Sequence, residues 1–211
     1  MRIAAIIPVK TFSKAKTRLD ISKEKRIELC KIMLEEILQT LSISPKIEKI
    51  IVVTKDHDAL EICDKFQTVT IPDETEEGVN TAVALADKYL AEQNFDASIV
   101  LPQDIPYIKT QDIDFLLKFQ TPPNFAIIVP SRKFDGTNAL VRMPIDLMKT
   151  CYDNNSYRNH MKIAKEQTRN VALVFVKRIM WDIDDVEDLE LVLQNNEKPN
   201  FLKKLKEILE D

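Results

Sequence analysis

Three clusters of side chains in this sequence have the types and spacing for chemistry on phosphates. The first is Asp104, held between Pro102 and Pro106 after the apolar run Ile99-Val100-Leu101. An apolar run ending at prolines reads as a buried strand that stops, because proline cannot donate to a ladder. Asp104 then falls just past a strand's carboxyl end, where open α/β sheets bind ligands. A carboxylate between two prolines also suits a plain turn. The second cluster is Lys10, Lys14, Lys16 and Arg18, directly after the apolar run Ile3 to Val9. A triphosphate needs this kind of neutralisation, with lysine as a point charge and arginine as a fork. A solvated basic loop is the plainer reading. The third is Asp182-Ile183-Asp184-Asp185. In extended backbone Asp182 and Asp184 share one side, and with Asp104 they would offer Mg²⁺ three oxygen ligands. Asp184 or Asp185 equally suits the N-cap of a helix opening at Val186.

Two further stretches carry polar groups at helix starts. Gly78-Val79-Asn80 opens a helix whose free N–H groups favour an anion, and Asn80 offers a donor and an acceptor to a base edge. Helix capping by Asn80 or Thr81 explains the same residues. Asp135-Gly136-Thr137-Asn138 is followed by Ser156-Tyr157-Arg158-Asn159-His160, with Ser156 as an N-cap. Hydroxyls, an arginine and free N–H groups suit a phosphate or carboxylate. His160 falls on a polar helix face, where a surface position is the common outcome.

The elements that must position these groups alternate. Strands are expected at Ile3 to Val9, Ile50 to Val53, Thr68 to Ile71, Ala97 to Leu101, Phe125 to Val129, Ala139 to Met143 and Val171 to Val176. Ser22 caps a helix with apolar positions at Ile27, Cys30, Met33, Leu34, Ile37, Leu38 and Leu41, a spacing of three and four. Further helices are expected after caps at Asp58 and Thr110, from Asn80 to Glu92, at Ile145 to Tyr152, Arg158 to Gln167, Val186 to Leu193 and Phe201 to Leu209. Strand followed by helix up to residue 130 implies a mostly parallel sheet with crossover helices. One α/β domain over 1–211 is expected, with a hairpin or helical lobe inserted at 131–165. The last amphipathic helix offers a face to a second subunit, so a homodimer is a further expectation.

Composition narrows the partners. The chain has 211 residues, 30% of them charged, and a net charge of −4, which argues against nucleic acid as the main partner. Cys30, Cys63 and Cys151 lack CxxC or zinc spacing and read as reduced thiols of a cytoplasmic protein. The run Ile3 to Val9 is too short to span a membrane and reads as a strand, not a signal peptide. Glycine occurs only at Gly78 and Gly136. Neither GxGxxG nor GxxxxGK[ST] is present, so phosphates would be held by side chains, metal and a helix terminus.

In combination and order, these pieces resemble the 2-phospho-L-lactate guanylyltransferase family of coenzyme F420 biosynthesis, a relative of the molybdenum-cofactor and sugar-phosphate nucleotidyltransferases. The matching segments are Pro8-Val9-Lys10 with Ala15-Lys16-Thr17-Arg18-Leu19, Gly78-Val79-Asn80, Pro102-Gln103-Asp104-Ile105-Pro106, Asp135 to Leu140, Ser156-Tyr157 with His160, and Asp182-Ile183-Asp184 with Glu187-Asp188-Leu189. They span nearly the whole chain. The departures are Gln103 where glycine commonly precedes the aspartate, Val79 where leucine is usual, and no glycine before the serine motif.

The resemblance implies a Rossmann-like nucleotidyltransferase fold of the nucleotide-diphospho-sugar transferase type. It implies transfer of GMP from GTP to 2-phospho-L-lactate, phosphoenolpyruvate or 3-phosphoglycerate, with pyrophosphate released and a downstream F420-pathway transferase taking the product. Mg²⁺ would lie on Asp104, Asp182 and Asp184. Pro8, Val9, Lys10, Lys16, Arg18, Gly78, Asn80 and Pro102 would bind the nucleotide, with Asp104, Lys10, Lys16 and Arg18 catalytic. Thr137, Asn138, Ser156 and His160 would hold the acceptor. The rivals are another nucleotidyltransferase or a DxD glycosyltransferase of the same fold, and a non-catalytic nucleotide-binding protein.

Overall fold

The computed structural model describes residues 1–210. Seven strands form one sheet: β1 (Ile3–Pro8), β2 (Lys49–Val53), β3 (Thr68–Ile71), β4 (Ala97–Val100), β5 (Phe125–Pro130), β6 (Thr137–Met143) and β7 (Val171–Leu173). Their order is β3-β2-β1-β4-β6-β5-β7. All pairs are parallel except those of β6, which runs antiparallel to both β4 and β5. Residues 131–165 thus contribute to the sheet itself: β5 and β6 form a hairpin, and β6 is the strand seated against β4.

Eight helices accompany the sheet: α1 (Lys23–Ser42), α2 (His57–Cys63), α3 (Val79–Glu92), α4 (Thr110–Leu116), α5 (Ser156–Gln167), α6 (Lys177–Met180), α7 (Val186–Leu193) and α8 (Pro199–Glu210). Alternation along each strand feeds two cores. Ala5 and Ile7 of β1 join Ile99 and Leu101 beneath α1, α4, α7 and α8. Ala4 and Ile6 join Val100 and Leu140 beneath α3 and α5. Strands buried on both faces read as continuous apolar runs, as these do. The chain turns from β1 toward β2 and β3 on one side and toward β4 on the other. This reversal opens a crevice at the carboxyl ends of β1 and β4, the general ligand position of such sheets.

Several boundaries differ from expectation, each for a polar reason. Asp56, not Asp58, caps α2 by accepting from Ala59 N at 3.0 Å. Thr110 begins α4, and Asp112 satisfies the Lys109 N–H at 2.9 Å. Ile145 to Tyr152 is not helical. Its backbone groups pair with side chains from elsewhere: Arg142 donates to Met148 O, His160 accepts from Cys151 N, and Asn80 accepts from Tyr152 N. Val174 still donates to Ile128 O of β5, at 2.9 Å, and residues 175–176 then lead into the short α6. Helix α8 spends its apolar face inside the chain. Phe201 and Leu205 are fully buried, and Phe201 packs edge-on to Tyr107 at 5.7 Å. This face is therefore taken up within the chain and is not free for a second subunit.

Candidate active site

A cleft of about 440 Å³ lies at the carboxyl ends of β1 and β4, a size suited to a small-molecule ligand. Its lining includes Pro8, Val9, Lys10, Lys16 and Arg18 after β1, Gly78 and Val79 at the start of α3, Pro102 to Asp104 after β4, and Asp184. Continuity of the chain past two adjacent strand ends brings the first and third of these segments together. A backbone bond from Ile183 N to Asp104 O, 3.0 Å, adds the acidic segment.

Lys16 is the centre of this arrangement. Its ammonium lies 2.5 Å from Asp104 Oδ2 and 2.7 Å from Asp184 Oδ1, and its side chain is only 5% exposed. Its backbone is left-handed, with φ of 55°, which costs energy in any residue bearing a Cβ. Burial alone would lower an ammonium pKa, but Asp104 and Asp184 reverse the effect and raise it. Burial pushes the Asp104 carboxyl up, with Lys16 opposing and Asp184 adding. Burial also pushes at Asp184, yet Lys16, Arg18 and Lys133 draw it below the usual range. Asp182, beside Asp104 and near the Asn138 amide, is raised to about 7, first by burial and then by the Asp104 charge, with Asn138 opposing. Asp104 Oδ1 and Gln103 Oε1 are buried with no hydrogen-bond partner.

The acidic segment divides its labour. Asp185 caps α7, accepting from Asp188 N at 3.2 Å, and Asp188 in return accepts from Asp185 N. Asp184 is thereby left to face Lys16. The three carboxylates Asp104, Asp182 and Asp184 do not converge as one compact trio. Among the described residues the trio with ligand atoms all within 4.8 Å of one another is His57, Asp58 and Glu61 on the surface. The Asp104–Asp184 pair nonetheless fits a cation: it already holds one, the Lys16 ammonium, and Asp104 Oδ1 retains unused ligand capacity.

The other basic residues are disposed differently. Lys10 and Arg18 are exposed on the cleft wall, and among the described residues neither forms an ion pair. Lys14 is held 2.7 Å from Glu76, a largely enclosed carboxylate among the exposed Glu74, Thr75 and Glu77. Glu76 also accepts from Thr11 N at 2.8 Å and pairs with Lys55 at 3.3 Å. Asp56 accepts from Phe12 N at 2.9 Å. Together they pin the loop after β1 against the loops after β2 and β3. The hydrogen bond from Lys14 first, then that from Thr11, holds the Glu76 carboxyl well below its ordinary range. Gly78 has φ of 117°, open to glycine and strained for other residues, and starts α3 at the cleft wall, where Gly78, Val79 and Ala82 line it.

All four expected acceptor residues, the nucleotide residue Asn80 and the expected metal ligand Asp182 lie outside the cleft lining. Asn80 has its amide engaged, accepting from Tyr152 N at 2.9 Å and reaching Asp153 at 3.4 Å. His160 is fully buried, not on the surface. Its Nε2 accepts from Cys151 N at 2.8 Å, so Nδ1 carries the proton and donates to Thr137 Oγ1 at 2.9 Å. Ser156 also donates to Thr137, at 3.1 Å. Ser156 is not the cap of α5: Asn155, in left-handed backbone with φ of 57°, holds that position. Burial, with Arg142 adding to it, lowers the His160 pKa to about 4. At Asn138 the β5–β6 register shifts, since Val129 faces Ala139 and Pro130 faces Thr137. The extra residue turns its amide toward Ile179 O, 3.0 Å away, and toward Asp182.

With this geometry in hand, comparison with known proteins is direct. The family profile described as "Guanylyl transferase CofC like" matches residues 3–210. The chain belongs to the CofC-like guanylyl transferase family. Two relatives of this chain make the point. A phosphoenolpyruvate guanylyltransferase from Conexibacter woesei is 30% identical, over 90% of this chain and 86% of that protein. A 2-phospho-L-lactate guanylyltransferase from Methanobrevibacter smithii is 30% identical, over 97% of this chain and 91% of that protein. In fold, a chain described as a nucleotide-diphospho-sugar transferase from Desulfovibrio desulfuricans superposes with a TM-score of 0.77 at 18% identity, covering 98% of this chain and 95% of that one. A 4-diphosphocytidyl-2C-methyl-D-erythritol synthase from Anaerococcus prevotii gives 0.65 at 14% identity, covering 92% and 96%. The nucleotide-diphospho-sugar transferase type of fold that the family resemblance implied is thus the one observed. No helix among the described residues is long and apolar enough to cross a membrane.

Proposed function

We infer that this protein transfers GMP from GTP to a small phosphorylated carboxylic acid and releases pyrophosphate, as a step of coenzyme F420 biosynthesis. The observation that carries this reading is the cleft itself: free cations and a carboxylate pair meet at the β1–β4 edge of a chain in the CofC-like family.

An acceptor phosphate has a second pKa of about 6 and is mostly dianionic at neutral pH. It needs no strong general base. One of its oxygens bonds to the α-phosphorus of GTP while the bond to the β-bridging oxygen breaks and pyrophosphate leaves. What this step needs is suppression of repulsion between anions and in-line placement. Lys10 and Arg18 stand free to neutralise the triphosphate and the departing pyrophosphate, with the N-terminus of α3 beside them. The pocket walls Pro8, Val9, Gly78 and Pro102 suit the nucleoside. Asp104 and Asp184, with Asp182 adjacent, would hold a magnesium ion, which when bound supplies Lewis-acid polarisation of a phosphoryl oxygen.

The acceptor belongs to the class shared by 2-phospho-L-lactate, phosphoenolpyruvate and 3-phosphoglycerate, all carrying a phosphate and a carboxylate. Thr137, Ser156 and His160, expected to hold it, are occupied with one another. The product is a phosphoanhydride with GMP as leaving group, so a downstream transferase must consume it. The test incubates the protein with GTP, CTP, UTP or ATP and each acceptor, and weighs the product. A GMP-linked acid formed from GTP is expected. Product only from another nucleotide, or none with any acceptor, overturns the reading.

A further inference from the structure

We propose that Lys16 is the resting occupant of the cation seat between Asp104 and Asp184, and that a divalent cation enters this seat only with a triphosphate that draws the ammonium away. The inference takes from the functional reading only that the substrate is a nucleoside triphosphate.

Four observations carry it. The ammonium bridges both carboxylates, at 2.5 and 2.7 Å, with its side chain almost fully enclosed. Asp104 Oδ1 lies buried and unpartnered, so the seat offers more oxygen ligands than one ammonium uses. The Ile183 N to Asp104 O bond joins the two acidic segments through backbone, so the carboxylates keep their spacing when the lysine leaves. Lys16 sits in left-handed backbone directly before the exposed Thr17 and Arg18, and all three line the cleft, so its side chain borders the space where phosphates would lie.

The electrostatics set the order of events. An ammonium and a divalent ion a few ångströms apart repel strongly in a partly buried site, so the two cannot share the pair. A free divalent ion must therefore expel Lys16 into a cleft already lined by Lys10 and Arg18. A triphosphate changes this balance by giving the ammonium an anionic partner of its own. Lys16 thus acts twice: it keeps the carboxylates compensated in the empty enzyme and then becomes a phosphate ligand. The consequence is ordered loading, in which metal and nucleotide arrive as a unit.

The test titrates Mn²⁺ alone into the nucleotide-free protein and counts free ion by electron paramagnetic resonance. Wild type is expected to bind weakly. Lys16→Met is expected to bind at least about tenfold more tightly, with that gain abolished by adding Asp184→Asn. A non-hydrolysable GTP analogue should strengthen Mn²⁺ binding in wild type by a larger factor than in Lys16→Met. Circular dichroism checks each fold. If Lys16→Met does not fold, Lys16→Gln, which keeps a hydrogen-bond donor near the pair, replaces it with the same expectation. Equal Mn²⁺ affinity in wild type and the folded lysine variant overturns the proposal. A protein that behaves as expected toward Mn²⁺ but transfers no GMP refutes the functional reading and leaves the Lys16 seat standing; the converse result refutes the seat alone.

Discussion

The β1–β4 edge and the cluster around His160 draw on the same kinds of residue, hydroxyls, amides, charges and one helix start each, and they differ in how their polar groups are met. Around His160 the ring, the Thr137 and Ser156 hydroxyls and the Cys151 N–H satisfy one another, with a tautomer dictated by the backbone donor. Arg142 nearby makes a two-pronged pair with Asp87, at 3.0 and 2.7 Å. The unmet atoms of this region, the Tyr152 hydroxyl and Arg142 Nε, do not line the cleft. At the β1–β4 edge the charges are concentrated, one lysine serves two carboxylates, and Asp104 Oδ1 has no partner. A buried polar network that is closed on itself stabilises and orients the chain. One left open in a cleft has capacity for a ligand. Residue type alone does not separate the two cases.

The comparison can be broken by substitution. Asp104→Asn should lower turnover by about three orders of magnitude while leaving the melting temperature nearly unchanged, because electrostatic groups at a reacting phosphate act mainly on the transition state. Steady-state kinetics beside a thermal melt check this, and near-normal turnover would sink the role given to Asp104. His160→Ala should do the reverse. It leaves a cavity and unpairs the Cys151 N–H, costing about 3 kcal/mol in a denaturant titration, with little change in the acceptor KM of the folded protein. A large rise in acceptor KM without loss of stability would restore His160 and its partners to acceptor binding.

A pH series sharpens the same contrast. His160 titrates near 6.5 when unfolded and about 4 when folded, so between these values the unfolded chain holds the extra proton. Its contribution to stability is full above about 6.5 and is lost as pH falls toward 4, at no more than about 1.4 kcal/mol per pH unit. Denaturant titrations should show this acid limb in wild type and a flatter one in His160→Gln. The smallest effect is expected at the rim of the cleft. Glu76→Gln keeps an acceptor for Thr11 but frees Lys14, and should lower the KM for GTP roughly threefold, whereas Glu76→Ala loosens the loop and should raise it.

Much of the architecture is legible in local patterns. The continuous apolar runs of β1 and β4 and the three-four spacing of α1 are enforced by burial along one element, so they can be read without knowing its neighbours. The cleft inherits this legibility, because Lys10 to Arg18 and Pro102 to Asp104 follow their strands without a break. The sequence by itself determined a mostly parallel sheet, with a cationic loop and a carboxylate each placed past a strand's carboxyl end; that these two strands are neighbours came from the sheet order. Only the tertiary structure decided which polar groups were already taken. Asp185 caps α7 and so frees Asp184 for Lys16; Tyr152 and Asp153 claim Asn80; α5, packed on β5 and β7, buries His160 against Thr137. A hydrogen-bonding group forms its bonds with whatever lies within about 3 Å, and for these residues the partners are distant in sequence. The open valence of Asp104 and the bridging position of Lys16 are therefore properties of the packed molecule, built from residues that the chain had already placed at the right edge.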